Sequence, residues 1–180
     1  MLRMMEKGER VNKNIINWDR AWEDCKDEIS DVGGGLFLSA VPKANNLRDL
    51  GIKNVLNVAR EQGDVHLCYG NFNVAHFCIE DGIPMNPMMV RSALKTLREM
   101  HRTGPTLVHC GMGVSRSPTI IALYWYARGE VDSLDEGIEI LQRARPCVSP
   151  NHIVDKKVMR AVDGLRRTWT KHGTPATIPM

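Results

Sequence analysis

Thr106-Leu107-Val108-His109-Cys110-Gly111-Met112-Gly113-Val114-Ser115-Arg116-Ser117-Pro118 is the stretch on which the reading of this chain turns. Gly104-Pro105 stops the helix that precedes it. Thr106 to His109 then reads as a short buried strand. Gly111 and Gly113 let the backbone turn tightly, so that successive N–H groups converge into an anion nest. Pro118 lies near the start of the next helix, where its missing N–H costs little. That helix brings the positive end of its dipole to the same loop. Cys110 stands six positions before Arg116, so a thiol and a guanidinium are aimed at one small anion.

Outward from this loop, strand and helix patterns alternate. Leu36-Phe-Leu38 reads as a strand, and Asp31 to Gly35 before it as a turn. Lys43 to Leu50 reads as a helix ended by Gly51. Asn54 to Val58 is a buried strand, and Val74 to Ile79 is the next, broken by Asp81-Gly-Ile-Pro84. Leu94, Leu97 and Met100 give an apolar stripe to a helix from Ser92 to His101. Beyond the loop, a helix runs through Ile120 to Arg128 and stops at Gly129. Ser133-Leu-Asp-Glu136 is a capping-box pattern that opens a helix to Ala144. Asn151 is expected to cap a last helix carrying Val154, Val158, Val162 and Leu165. Near the start, Trp18, Ala21, Trp22 and Cys25 recur at helical spacing behind Asn17.

This order predicts an α/β fold, with a central, mostly parallel sheet flanked by helices. In such sheets ligands bind beyond the carboxyl ends of the strands, where the cysteine loop lies. The chain divides into an extension with a short helix (1–29), a main domain (30–171) and a frayed tail (172–180).

Composition narrows the function classes. The 180 residues fit one domain, and the hydrophobic and charged fractions of 43% and 25% suit a folded globular protein. A net charge of +3, dispersed along the chain, does not argue for a nucleic-acid partner and does not disfavour anionic substrates. No run approaches the roughly 20 apolar residues of a membrane span. The start, MLRMMEKGER, lacks the apolar core of a signal peptide. Five cysteines, an odd number with no zinc or redox spacing, suggest reduced thiols and a cytoplasmic location.

The loop residues suggest a chemistry. Arg116 can grip two phosphate oxygens bidentately, which a lysine does less well. The converging N–H groups and the helix end favour the thiolate form of Cys110, the nucleophilic one. That thiolate could attack phosphorus in line and form a phosphocysteine that water hydrolyses. Ser117 stands where its hydroxyl could donate to the departing thiolate. His109 is expected to orient the loop, because a strand points successive side chains to opposite faces. The competing reading is a buried cysteine after a core strand, followed by a structural glycine turn.

Cys110 to Pro118 resembles the signature of the protein tyrosine phosphatase superfamily, and its C-x-x-G-x-S-R-S-P form is similar to the dual-specificity subgroup. The resemblance extends to Gly35–Ser39, to Leu50–Val58 and to Arg145-Pro146 followed by Ser149-Pro150-Asn151. It implies the superfamily's fold, a sheet of about five strands with helices on both faces. It implies cofactor-free, metal-free hydrolysis of phosphate monoesters. Gly111, Met112, Gly113, Val114, Ser115 and Arg116 would then bind the phosphate. Ser115 has a second reading as a loop stabiliser. The resemblance also implies an aspartic acid on a separate loop that protonates the leaving oxygen. Asp81 matches its placement, 29 residues before Cys110. Glu80 is the neighbouring alternative, and an ordinary turn aspartate is the bland one.

Substrate readings differ in strength. A phosphatase of phosphotyrosine and phosphoserine or phosphothreonine proteins is the leading one. Phosphatases of phosphoinositides often carry lysines inside this loop, where Met112 and Val114 stand here. An RNA 5′-triphosphatase would call for a more basic surface, and a non-catalytic phosphate-binding module would need neither nucleophile nor acid. Cys78 or Cys68 could pair with Cys110 under oxidation, although burial as small apolar residues is the simpler expectation. Trp18, Trp22, Met88 and Met89 read as core or groove lining. Oligomeric state is not legible.

Overall fold

The computed structural model describes residues 23–62, 71–150 and 154–172. Its elements run β1 (Ile29–Gly33), β2 (Leu36–Ser39), α1 (Ala44–Asp49), β3 (Asn54–Asn57), β4 (Asn73–His76), α2 (Pro87–Thr103), β5 (Thr106–His109), α3 (Arg116–Arg128), α4 (Leu134–Ala144) and α5 (Lys156–Trp169). A single 3-10 turn, Thr170–His172, follows α5. The five strands form one sheet in the order β1-β2-β5-β3-β4. Strands β2, β5, β3 and β4 are parallel, and only β1 runs antiparallel, against β2. The expected α/β architecture is the one observed.

Alternation along the strands assigns the two faces of the sheet. Leu36, Leu38, Leu56 and Val108 belong to the larger core, shared with α2, α3, α4 and α5. Phe37, Val55 and Leu107 face the other way, onto Leu47 of α1 and Ile52. The central helix α3 is buried nearly all round, from Arg116 to Ala127. Such a helix shows no single apolar stripe, and it packs so closely on α4 that a Cβ at Gly137 would meet Ala122 at 2.9 Å. Each aliphatic side chain buried here contributes roughly 1.5–3 kcal/mol.

Strand β4 ends at His76 rather than at the expected Ile79, and three further element boundaries differ from the expectation. The stretch expected as a turn from Asp31 is the end of β1, paired with β2 through Asp31↔Phe37 and Gly33↔Leu36, with an irregularity between. Ser30, Asp31 and Gly33 gave that strand no apolar alternation, and its stability comes from pairing. Helix α2 begins five residues earlier than Ser92, because Asn86 caps it: its Oδ1 accepts from Met88 N at 2.9 Å and Met89 N at 3.2 Å, with Pro87 at the first position. Helix α5 is capped by Asp155, whose side chain accepts from Lys157 N and Val158 N. The expected cap Asn151 lies outside the described residues, as do Asn17, Trp18, Trp22, Cys68 and the tail from 173. Half of the capping box of α4 forms as read, with Ser133 Oγ accepting from Glu136 N at 3.1 Å, while the Glu136 carboxylate accepts from Asp132 N at 2.7 Å, one residue before the cap. Among the described residues no helix is long and apolar enough to cross a membrane.

The parallel strands end together at Ser39, Asn57, His76 and His109. The loops that leave these ends, with Arg145, build the site.

Candidate active site

Cys110 follows β5 directly and is buried, with 2% of its surface exposed. Its Sγ accepts a hydrogen bond from Gly113 N at 3.2 Å and one from Ser117 Oγ at 3.2 Å. Both donors stabilise negative charge on sulfur, and Ser117 stands in the first turn of α3, whose dipole adds to them. Gly113 makes the turn possible. Its φ is +68°, and a Cβ there would lie 2.4 Å from the Ser39 carbonyl and 2.6 Å from Ala40 N. Only glycine lets the loop lie on the end of β2.

Arg116 opens α3 and is 3% exposed. A guanidinium carries five N–H bonds in a plane. Nη1 donates to Glu61 Oε2 at 2.6 Å and to Ile79 O at 3.1 Å, and Nη2 donates to Glu61 Oε1. Glu61 therefore grips the far end of the fork. The Nε side remains: Nε has no hydrogen-bond partner among the described residues, although Asp81 Oδ1 lies 3.6 Å from it. The Nε–Nη2 edge is the one that matches two oxygens of a phosphate.

Asp81 comes from the loop after β4, is half exposed, and also accepts from Gly82 N at 3.1 Å. Glu80 turns away and pairs with Arg60. The structure therefore brings Asp81, not Glu80, to Arg116. His109 is wholly buried, with Nδ1 3.3 Å from Cys110 O. Burial drives its pKa down to about 4, so the ring is neutral at physiological pH and suits an orienting residue. Ser115 is buried, and its carbonyl accepts from Thr119 N at 3.1 Å and Thr119 Oγ1 at 2.7 Å, tying the loop to α3. Met112 stands out of the loop with half its surface exposed, and Val114 is partly buried.

Cys78 corrects an expectation: it is exposed rather than packed, with Sγ 3.8 Å from His76 Nε2, and it is a free thiol, as is Cys110. Met89 lines a cavity of about 250 Å³ with Ile79, Ile83, Pro84 and Met85 beside the Asp81 loop, and Met88 is exposed there. Two further residues were given no role from sequence, although Arg145 belongs to the Arg145-Pro146 stretch of the resemblance. Glu61 holds Arg116, and hydrogen bonds from Arg116 keep its carboxyl below the usual range. Arg145 reaches the back of the loop, as described below. The signal for Glu61 is its place just past the carboxyl end of β3, two residues after the buried Ala59.

Residues 36–161 match the family described as dual specificity phosphatase, catalytic domain. The chain belongs to this family. The superfamily and subgroup expected from the loop are thus the ones found, and the dual specificity phosphatase domain covers every site residue named above. This domain is similar to Protein phosphatase Slingshot of Drosophila melanogaster, with 28% identity over 123 residues. That match covers 64% of this chain and 11% of the relative, so the chain spans about a tenth of that protein's length. The fold of the phosphatase domain resembles human DUSP28, with a TM-score of 0.62, 18% identity, and 81% and 100% of the two chains covered. It also resembles PTPMT1 in complex with PI(5)P, with a TM-score of 0.60, 14% identity, and 82% and 100% covered.

Proposed function

We propose that this phosphatase domain hydrolyses phosphotyrosine and phosphoserine or phosphothreonine in proteins through a phosphocysteine on Cys110. The observation that carries the reading is the arrangement around one small volume. The Cys110 sulfur accepts from two hydrogen-bond donors, and the adjacent Arg116 has an Nε that makes no hydrogen bond among the described residues and lies 3.6 Å from Asp81 Oδ1, while Glu61 occupies the other end.

The steps follow from these groups. The substrate phosphate lies on the loop N–H groups of Gly111 to Ser115, with two oxygens on the Nε–Nη2 edge of Arg116. The Cys110 thiolate attacks phosphorus, forming an S–P bond while the ester P–O bond breaks. Asp81 gives its proton to the leaving oxygen, a step worth about 10²–10⁴-fold. Water then attacks phosphorus, loses its proton to the Asp81 carboxylate, and releases phosphate. The thiolate leaves as the Ser117 hydroxyl donates to it. No cofactor or metal takes part in these steps.

The neutral side chains at Met112 and Val114 favour phosphoproteins over polyphosphorylated lipids, since neither supplies a cation for a second phosphate. The test compares kcat/KM, in chelator, on phosphotyrosine peptides, phosphothreonine peptides, phosphoinositides and triphosphorylated RNA. The reading expects the peptides to be turned over best. Preference for either of the last two would overturn the substrate assignment, and failure on all four would favour a phosphate-binding module.

A further inference from the structure

Arg145 is completely buried, and among the described residues it forms no ion pair. Its donors go to oxygens of neutral groups. Nε donates to Gly113 O at 3.1 Å, Nη2 to Met112 O at 3.4 Å, and Nη1 to Glu28 O at 3.1 Å and Ser30 Oγ at 3.4 Å. A buried cation without a carboxylate is costly, and an apolar side chain would serve plain packing better. The two carbonyls of the phosphate loop explain its presence.

A trans peptide directs its C=O and its N–H in opposite directions. Arg145 holds the Met112 carbonyl, so the N–H of the same peptide, that of Gly113, points the other way, and it is this N–H that donates to Cys110 Sγ. Arg145 also holds the Gly113 carbonyl, which turns the Val114 N–H away from it by the same geometry. A positive charge on the carbonyl side polarises both peptides and strengthens their N–H donors. The segment after Arg145 supports the loop again, through Ser149 N and Val114 O at 2.9 Å.

We propose that Arg145 is a positioning residue: it fixes the direction of the 112–113 and 113–114 peptides so that their N–H groups face the sulfur and the bound phosphate. This rests on the reading that the loop binds phosphate. A lysine, with one compact ammonium, cannot reproduce the fork that spans the two carbonyls and β1.

The experiment uses Arg145→Met and Arg145→Lys in the whole chain, with para-nitrophenyl phosphate kinetics, orthovanadate inhibition and thermal melting. Rates are expressed per folded molecule. Arg145→Met is expected to lower kcat/KM about 10–100-fold and to weaken orthovanadate inhibition by a similar factor, with Arg145→Lys between it and wild type. Ser30→Ala, which removes a contact of Arg145 outside the loop, should leave both within about twofold. Folded Arg145→Met with wild-type kcat/KM and inhibition overturns the proposal. If Arg145→Met does not fold, Arg145→Lys decides, and unchanged inhibition in that variant overturns it equally. A wild-type protein that neither turns over nor binds orthovanadate instead sinks the phosphate-loop reading itself.

Discussion

Arg116, at the start of α3, and Arg145, at the end of α4, are two buried arginines that meet one loop, and they are held in contrasting ways. Arg116 has carboxylates at its far end and side, Glu61 and Asp81, and its Nε forms an ion pair with Asp81 but no hydrogen bond among the described residues. Arg145 has carbonyls and one hydroxyl, and its donors are directed at fixed backbone. The first arrangement leaves part of the fork available to a ligand. The second holds the peptides that face that ligand. A buried arginine therefore signals binding or scaffolding according to which of its donors the protein itself has taken.

Substitutions on the two sides should separate in size and in kind. After the nucleophile itself, the largest loss is expected at the acid: Asp81→Asn should lower kcat about 10²–10⁴-fold with little change in KM, while Glu80→Gln changes kcat by less than about threefold. A reversed pattern in steady-state kinetics would move the acid to Glu80. Next, Arg116→Lys keeps the charge but loses the fork, and should lower kcat/KM about 10²–10³-fold, more than Arg145→Lys does. Equal losses at the two positions would erase the contrast between them.

The smallest effect on activity at pH 7 belongs to the back of the loop, where His109 acts on stability. Its pKa falls from 6.5 in the unfolded chain to about 4 when folded. Between these values the unfolded chain takes up the proton and the folded one does not, so stability is intact above pH 6.5 and is lost as pH falls toward 4. The loss amounts to about 3 kcal/mol. Urea unfolding of wild type and His109→Gln from pH 7.5 to 4.5 measures it. The variant should lose less stability over this range, and parallel curves would contradict the assignment.

How much was legible depended on sequence distance. Strand, loop and helix around Cys110 lie in one contiguous run, so β5, the turn and α3 were readable from local rules. Asp81 was placed by its loop and by resemblance. Glu61 was not singled out and Arg145 was quoted without a role, because their partners are 55 and 32 residues away and exposed arginines and glutamates are the usual case. Strand β1 was missed for a related reason: Ser30, Asp31 and Gly33 carry no strand pattern of their own, and β2 supplies the pairing. Asn86 was readable as a cap in hindsight, since Pro87 follows it at the first helical position.

The central claim is that Cys110 is the nucleophile, and folded Cys110→Ser tests it most directly. Turnover of para-nitrophenyl phosphate should fall at least about 10³-fold, with the melting temperature and phosphotyrosine-peptide binding kept close to wild type. Turnover within about tenfold of wild type in that folded variant would contradict the mechanism.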